Sequence, residues 1–311
     1  SSLESLTVPF VGNEMKKSGD DYQYPLGYLF GKTYYFNSCS ITQSFYGENE
    51  KIINECFYIP SSLKDVTVLS GLISLGAFSG CKEIQNITLG ESVYQIDTNA
   101  FLGCSSLTEI IVPKSVVAIG LGAFSGCSSL ETISLYFIGH NRKSNWKFGY
   151  IFGMTEYDGG LETIQFKEGT INQEYIFYIP ATLRKIIMLG EFINDEAFYN
   201  CSNIETIIFS DNLMGVGKNA FYNCSNLSFN IKNNEKYLGN ENNPYLLLVK
   251  VAAEKVNTFK FTDGTRVMAS DALIELNNLE NIIICDSLVS FGEYYMGREK
   301  LNYNIYKRDF Q

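Results

Sequence analysis

One five-residue phrase recurs along this chain and restricts its fold more than any other feature. It reads Ala77-Phe78-Ser79-Gly80-Cys81, Ala100-Phe101-Leu102-Gly103-Cys104, Ala123-Phe124-Ser125-Gly126-Cys127, Ala197-Phe198-Tyr199-Asn200-Cys201 and Ala220-Phe221-Tyr222-Asn223-Cys224. The steps 81 to 104, 104 to 127 and 201 to 224 are each 23 residues. A unit that short cannot bury its apolar face alone, so units of fixed period must stack on one another into a solenoid.

Between phrases the apolar residues repeat as well, as in Leu107, Ile110, Val112, Val116, Ile119, Ala123, Phe124 and Cys127, followed by Leu130, Ile133 and Leu135. The Leu-x-x-Ile-x-Val segment alternates in its last three positions, which predicts a short strand with one face buried. Pro113 then ends the strand. Gly120 to Phe124 reads as a tight bend leading into a helical or 3₁₀ turn on the opposite side.

A longer period lies over the short one. Gly27-Tyr28-Leu29-Phe30-Gly31 matches Gly149-Tyr150-Ile151-Phe152-Gly153, Tyr58-Ile59-Pro60 matches Tyr178-Ile179-Pro180, and Cys81 matches Cys201, at offsets of 122, 120 and 120. We therefore expect one elongated repeat domain over 1–311 that contains a duplication. The first module covers 1–134 with an insertion at about 13–56, the second covers 135–228 with an insertion at about 139–176, and degenerate repeats fill 229–311. Ser1 to Leu6 reads like Ser128 to Ile133, so the chain is expected to start inside a repeat of a longer protein. Near the other end, Phe291 to Leu301 reads as a worn repeat with Arg298 in the cysteine's place.

The phrases Ala-Phe-x-Gly-Cys-Ser-Ser-Leu at 123–130 and Ile-x-Val-Pro-x-Ser-Val-x-x-Ile-Gly at 110–120 resemble the BspA-like leucine-rich repeats. The resemblance is strong over 61–138 and 178–228 and weaker over 261–301. It implies a leucine-rich-repeat solenoid, a right-handed superhelix with short parallel strands on a concave face and turns, short strands or 3₁₀ turns on the convex face. It also implies a protein of the kind secreted or displayed at the surface of gut and oral bacteria and some protist parasites, several of which are regarded as adhesins for host proteins or other cells; a bacterial surface protein is the expectation here. The long stretches at 146–160 and 232–257 depart from the regular pattern.

Composition removes several other classes. With a formal charge of −10 and a pI near 4.8, the average field repels polyanions, so neither nucleic acid nor an acidic membrane is an expected partner. The apolar run from Tyr245 to Ala253 is far short of the ~20 residues of a membrane helix and carries Lys250. Gly-x-x-x-x-Gly-Lys-Ser and Gly-x-Gly-x-x-Gly are both absent, which leaves no phosphate cradle.

Eight cysteines in a secreted protein would ordinarily suggest disulfides. Here five occupy one inward position of successive turns, so they are expected to run parallel as buried free thiols that fill space. Cys39, Cys56 and Cys285 lie outside the phrase. A thiolate nucleophile needs an imidazole, and the chain has one histidine, His140, in a segment that reads as a surface loop. Glu109 and Glu131 fall about one turn apart at adjacent repeat positions, a weak basis for a glycosidase pair. Asp20 with Asp21, or Asp158 beside Gly159-Gly160, lack the Asp-x-Asp-x-Asp-Gly spacing of a calcium loop. We expect no enzyme, no catalytic residue, no metal site and no cofactor. Asn-x-Ser triplets at Asn200 and Asn223 overlap the repeat phrase, where a glycan would meet the stack.

The remaining candidates are surfaces. Outward strand positions Thr88, Ile111 and Ser134 are expected to form a row that Ile208 continues, suited to a broad contact with a protein or glycan. Tyr22, Tyr24, Tyr28, Phe30, Tyr34, Tyr35 and Phe36 crowd one insertion, and Trp146, Phe148, Tyr150 and Phe152 its counterpart. Aromatic residues there either pack the insertion onto the body or form a sticky patch, with Trp146 the one expected to stay partly exposed. The resulting expectation is a monomeric extracellular binding or adhesion module that does not enter the membrane. The alternative is a structural spacer.

Overall fold

The structure is a computed structural model that describes residues 2–12, 24–47, 51–143, 146–166, 173–252 and 255–291, with the backbone alone of Asn304–Lys307. The chain divides into two compact units, Ser1–Arg184 and Lys185–Gln311.

In the first unit the strands Ser5–Val8, Asp65–Ile73, Asn86–Ile96, Glu109–Ile111 and Thr132–Leu135 lie side by side, all parallel. Their register repeats the sequence period: Val66 faces Ile87, and Ile110 faces Ile133. These inward residues are buried, whereas Thr88, Glu109 and Ile111 between them are exposed, as a half-buried strand requires. Pro113 stops its strand, and Val116 N–H closes the following turn onto the Pro113 carbonyl at 3.1 Å.

The opposite side carries the repeated phrase, and there a continuous helix does not form. Instead, isolated turns follow one another: Ala100 N–H reaches the Asp97 carbonyl, Leu102 N–H that of Asn99, and Cys104 N–H that of Phe101. The interruption comes from residues with left-handed backbone. The fourth phrase position has φ of 74°, 71° and 72° at Gly80, Gly103 and Gly126, and of 61° and 57° at Asn200 and Asn223. Only glycine and asparagine adopt this region readily, which explains their exchange at that position. A second left-handed site precedes each alanine, at Gly76, Asn99, Gly122, Glu196 and Asn219.

Turns so bent cannot satisfy their own backbone groups, so they bond to their neighbours. Phe78 N–H reaches the Ala100 carbonyl at 2.7 Å, Phe101 N–H that of Ala123 at 2.8 Å, and Phe198 N–H that of Ala220 at 2.9 Å. The phenylalanines are thereby stacked: Phe78 on Phe101 at 5.3 Å, and Phe101 on Phe124 at 5.2 Å with planes 6° apart. All three are fully buried.

Each long insertion in the first unit is a 3₁₀ turn followed by an antiparallel hairpin. Leu26–Leu29 precedes the hairpin of Ser38–Tyr46 with Ile52–Pro60, and Phe148–Phe152 precedes that of Gly160–Phe166 with Glu174–Pro180. Both are bolted by a fully buried glutamine. Gln43 Oε1 accepts from Gly27 N–H and Gln165 Oε1 from Gly149 N–H, each at 2.8 Å. The two glycines are required because a Cβ on Gly27 would come within 2.5 Å of the Phe57 Cβ, and one on Gly149 within 2.6 Å of the Phe177 Cβ. Gln43 also donates to the Ala77 carbonyl at 3.1 Å, which ties the first insertion to the repeat stack.

The second unit pairs Lys185–Met188 with Thr206–Phe209 and Phe192–Ile193 with Gly215–Val216, again in parallel. An antiparallel set of Asn230–Lys232, Glu235–Leu238 and Leu247–Val251 follows. Beyond it the repeat resumes: Ser270 N–H meets the Val216 carbonyl, and Ala272 and Leu273 are buried where earlier turns carry Ala-Phe. Arg298 lies outside the described residues.

Two outcomes check this account. Phe124→Ala should lower the unfolding free energy by ~3–5 kcal/mol, because the stacked neighbours cannot close a ring-sized cavity. Gly126→Ala should cost about 1–2 kcal/mol through its left-handed backbone. Urea unfolding followed by circular dichroism reads both, and a loss below about 1 kcal/mol for Phe124→Ala would place that ring outside the core.

Candidate binding surfaces

The parallel register assembles the outward residues into rows. Thr7 is opposite Thr67 and Thr67 opposite Thr88, while Ile111 is opposite Ser134. Asn86 pairs with Glu109 two residues earlier, which places Thr88 beside Ile111. A second row runs Ser5, Asp65, Asn86, Glu109 and Thr132, in which Asn86 Nδ2 donates to Asp65 Oδ1 at 2.6 Å. Glu109 is thus opposite Thr132, and Glu131 is one position out of register with it.

Exposure along the expected row is uneven. Thr88 is exposed and Ile111 is 55% exposed, but Ser134 is 3% exposed. The expectation of an open Ser134 is therefore corrected: its side chain is the smaller member of the Ile111 pair. Ile208 sits in the second unit opposite Ile187, and both are half-buried.

The two aromatic insertions behave differently. In the second, Phe148 and Phe152 are fully buried, and Trp146 is half-buried with its ring 5.0 Å from both Tyr150 and Tyr175. That insertion packs inward. In the first, Tyr28 is 42%, Tyr34 63% and Phe36 79% exposed. Tyr24 stacks on Tyr28 at 4.3 Å, and Tyr34 meets Tyr58 edge-on at 5.8 Å. Tyr22 lies outside the described residues.

The contrast is sharpest in the loops 31–37 and 153–159, which occupy the same place in the duplicated frame. Tyr58 N–H bonds to the Gly31 carbonyl and Tyr178 N–H to that of Gly153, at 3.0 and 3.1 Å. Ser61 N–H bonds to the Asn37 carbonyl and Ala181 N–H to that of Gly159, at 3.0 and 2.8 Å. Both ends of each loop have left-handed backbone, at Gly31 and Asn37 and at Gly153 and Gly159. Yet Tyr34 and Phe36 of the first loop stand where the second has Glu156 and Asp158. At the same loop Lys32 is ion-paired with Glu55 of the hairpin.

All eight cysteines are free, the five of the repeat phrase as their inward position in successive turns leads one to expect. They do more than fill space. Cys104 Sγ lies 3.2 Å from the Phe78 carbonyl, Cys127 Sγ 3.3 Å from that of Phe101, and Cys224 Sγ 3.0 Å from that of Phe198. Each thiol donates to the turn before its own. Cys81 has Gln43 Nε2 at 3.7 Å instead. Burial pushes the Cys127 and Cys224 thiols up to about 12 and holds Cys104 well above the usual thiol range. Cys56 is exposed and Cys39 half-buried, the latter's thiol raised by burial.

His140 lies in a bend between two elements and is half-buried, in keeping with a loop histidine. Ile119 N–H bonds to the His140 carbonyl at 2.7 Å, and Nδ1 lies 2.9 Å from the Ile119 carbonyl. Asn141 bridges to Ala118, so this loop is held against the neighbouring turn. Among the described residues no group of three or more His, Cys, Asp or Glu side chains converges as a metal site. Asp158 is exposed without such a cluster; Asp20 and Asp21 lie outside the described residues.

Stacked parallel strands backed by a column of phenylalanines and cysteines define a leucine-rich-repeat solenoid. The family described as "BspA type Leucine rich repeat region" matches in six copies over residues 31–143 and 169–302. The chain belongs to the BspA-type leucine-rich repeat family. It is similar to a leucine-rich repeat protein from Bacteroides ovatus, with 15% identity, a TM-score of 0.34, and coverage of 80% of this chain and 55% of the other. A leucine rich cell surface protein from Faecalibacterium prausnitzii is 21% identical, with a TM-score of 0.26 over 81% of this chain and 61% of the other. A T. pallidum leucine-rich repeat protein is 18% identical, with a TM-score of 0.21 over 85% and 95%. The chain thus spans less than two thirds of the first two structures. No curated protein matches. Among the described residues no helix is long and apolar enough to cross a membrane.

Thiol chemistry tests the column. Without reductant, the folded chain should present Cys56 and Cys39 to a thiol reagent quickly, and all eight cysteines only after denaturation; fewer than eight would reveal disulfides. The buried thiols stay protonated in the fold while the unfolded chain ionises above pH about 8.5. Stability should therefore be full below that pH and fall as pH rises toward the folded values, by on the order of 1 kcal/mol per pH unit per thiol. A urea midpoint unchanged across this alkaline range would refute the assignment.

Proposed function

We propose that this chain is a non-catalytic extracellular binding module of the adhesion type, secreted or held at a cell surface. It acts as a monomer whose exposed repeat surface engages a protein or a glycan. The observation that carries this reading is the divergence of two loops on one duplicated frame. The bolts Gln43 and Gln165, the glycines Gly27 and Gly149, and the loop-end hydrogen bonds are repeated, but only the first loop exposes Tyr34 and Phe36. Since the second copy keeps the same frame with Glu156 and Asp158, the exposed rings are not needed for folding. Exposed aromatic side chains cost solubility and supply large contact area, which is the pattern of a recognition patch.

Thr88 and Ile111 of the first unit, with the buried Ser134 next to Ile111, Trp146 half-exposed in the second insertion, and Ile208 of the second unit are assigned supporting roles. Family membership supports the surface location, as does the similarity to a protein described as a leucine rich cell surface protein.

The natural experiment is to write the second loop into the first. Tyr34→Glu with Phe36→Asp should leave the urea midpoint within about 0.5 kcal/mol of the parent. The same change should weaken saturable attachment to cells or extracellular matrix at least tenfold. Undiminished attachment would remove the loop from the surface and shift attention to Ile111→Glu. If the parent chain shows no saturable attachment to any cell, matrix protein or glycan, the spacer reading replaces this one.

A further inference from the structure

The second unit contains a cavity of about 290 Å³ on its turn side, lined by residues of three successive pieces of chain. The Ala220 to Ser225 turn forms one wall, Phe229, Lys236 and Lys250 of the antiparallel set another, and Ala269 with Asp271 the third. Its size is at the lower end for ligand pockets, about 300 Å³, enough for one ring and its substituents.

Its charge runs against that of the chain. The protein carries −10 overall, yet Lys236 and Lys250 line this hollow against Asp271. Most of that charge is already balanced. Lys250 Nζ pairs with Glu275 at 2.6 Å, and Lys218 and Lys250 both act on the Asp271 carboxyl, which burial pushes upward. Lys236 is the exception. Its ammonium sits 5.2 Å over the Phe229 ring and has no carboxylate partner within 4.0 Å among the described residues. A cation held over an aromatic face still offers N–H donors to whatever enters.

The apolar part of the lining is flat. Tyr222, 55% exposed, is stacked on Tyr199 at 4.9 Å, and its hydroxyl makes no hydrogen bond among the described residues. Asn219 and Asn223 line the same wall, where Asn223 Nδ2 donates to Asn200 Oδ1 at 2.9 Å and leaves its own Oδ1 as an acceptor. An unbalanced ammonium, an aromatic face and amide groups around a one-ring space suit a molecule that is anionic at one end, has a CH face, and carries hydroxyl groups.

We propose that this cavity binds a pyranose sugar acid, its carboxylate on Lys236 and its CH face against Tyr222 or Phe229, as the terminal unit of an acidic glycan. A bare anion would use Lys236 alone and leave the aromatic walls idle. A neutral sugar would leave Lys236 without a counter-charge. The site lies wholly in the second unit, apart from Tyr34 and Phe36, and does not depend on the adhesion reading.

The test uses the whole chain, with D-glucuronate and N-acetylneuraminate as the sugar acids, and glucose, acetate and inorganic phosphate as controls, followed by titration calorimetry or ligand-observed NMR. We expect at least one sugar acid to bind saturably and at least tenfold more tightly than every control. Lys236→Gln should weaken it at least tenfold and Lys236→Arg should largely retain it, with the thermal midpoint of each variant unchanged, since Lys236 is exposed. Absence of binding by both sugar acids overturns the proposal, as do equal binding of glucose, acetate or phosphate and indifference to Lys236→Gln. Intact cell attachment with no sugar-acid signal would sink this cavity and spare the loop, and the converse result would do the reverse.

Discussion

Everything in this protein rests on one constraint: each turn is too short to satisfy its own backbone, so the next turn must do it. The left-handed residues that bend the phrase prevent a helix, and the amides this frees find carbonyls one repeat away, as Phe78 does at Ala100. Once those bonds set the spacing between turns, identical side chains are forced into register. Phenylalanines then lie face to face about 5 Å apart, which is favourable for offset rings and leaves no room for water. The cysteine follows from the same geometry. A small side chain with a weak donor is what fits under the stacked ring and reaches the carbonyl of the turn before.

The insertions show how such a stack can be interrupted without being broken. Beside Cys81 stands the insertion instead of a repeat phrase, and there Gln43 donates to the Cys81 sulfur and to the Ala77 carbonyl in the stack while accepting from Gly27 in the insertion. A buried amide satisfied on both ends holds orientation better than an apolar residue of equal volume, because losing either partner leaves a polar group dry. The repetition of this bond at Gln165 and Gly149 makes it a property of the module and not of one site.

Much of this was readable from the chain alone, and the failures have physical causes. The period fixed the strands, the inward set and the free cysteines, since all three depend only on spacing. The direction of an aromatic residue in an insertion does not. Phe148 and Phe36 look equivalent as letters, yet Phe148 in the 3₁₀ turn is fully buried and Phe36 in the loop is 79% exposed. Ser134 kept its place in the row but not its exposure, since the register fixes which residues are neighbours and not what covers them. Gln43 and Gln165 could have been found, as they share the 122-residue offset of the flanking glycines. The buried turn at Ala272 and Leu273 falls in the stretch of weaker resemblance because the antiparallel set between it and Ala220 destroys the 23-residue step. The cavity beside Lys236 was hidden for the same reason.

A duplicated frame also explains how surfaces here can change at little risk. The groups that hold the two loops are their ends and the buried glutamine, and none of these includes the residue at the tip. Substitutions at positions such as Tyr34 and Phe36 therefore act almost entirely on what the loop presents, whereas substitutions at Gly27 or Phe57 act on whether it is held at all. The same separation holds in the second unit, where Phe198, Phe221 and the thiols carry the stack while Tyr222 and Lys236 face outward from it. Stability in a solenoid is a sum over neighbouring turns. Recognition is set by side chains that this sum does not contain, so the two can vary independently.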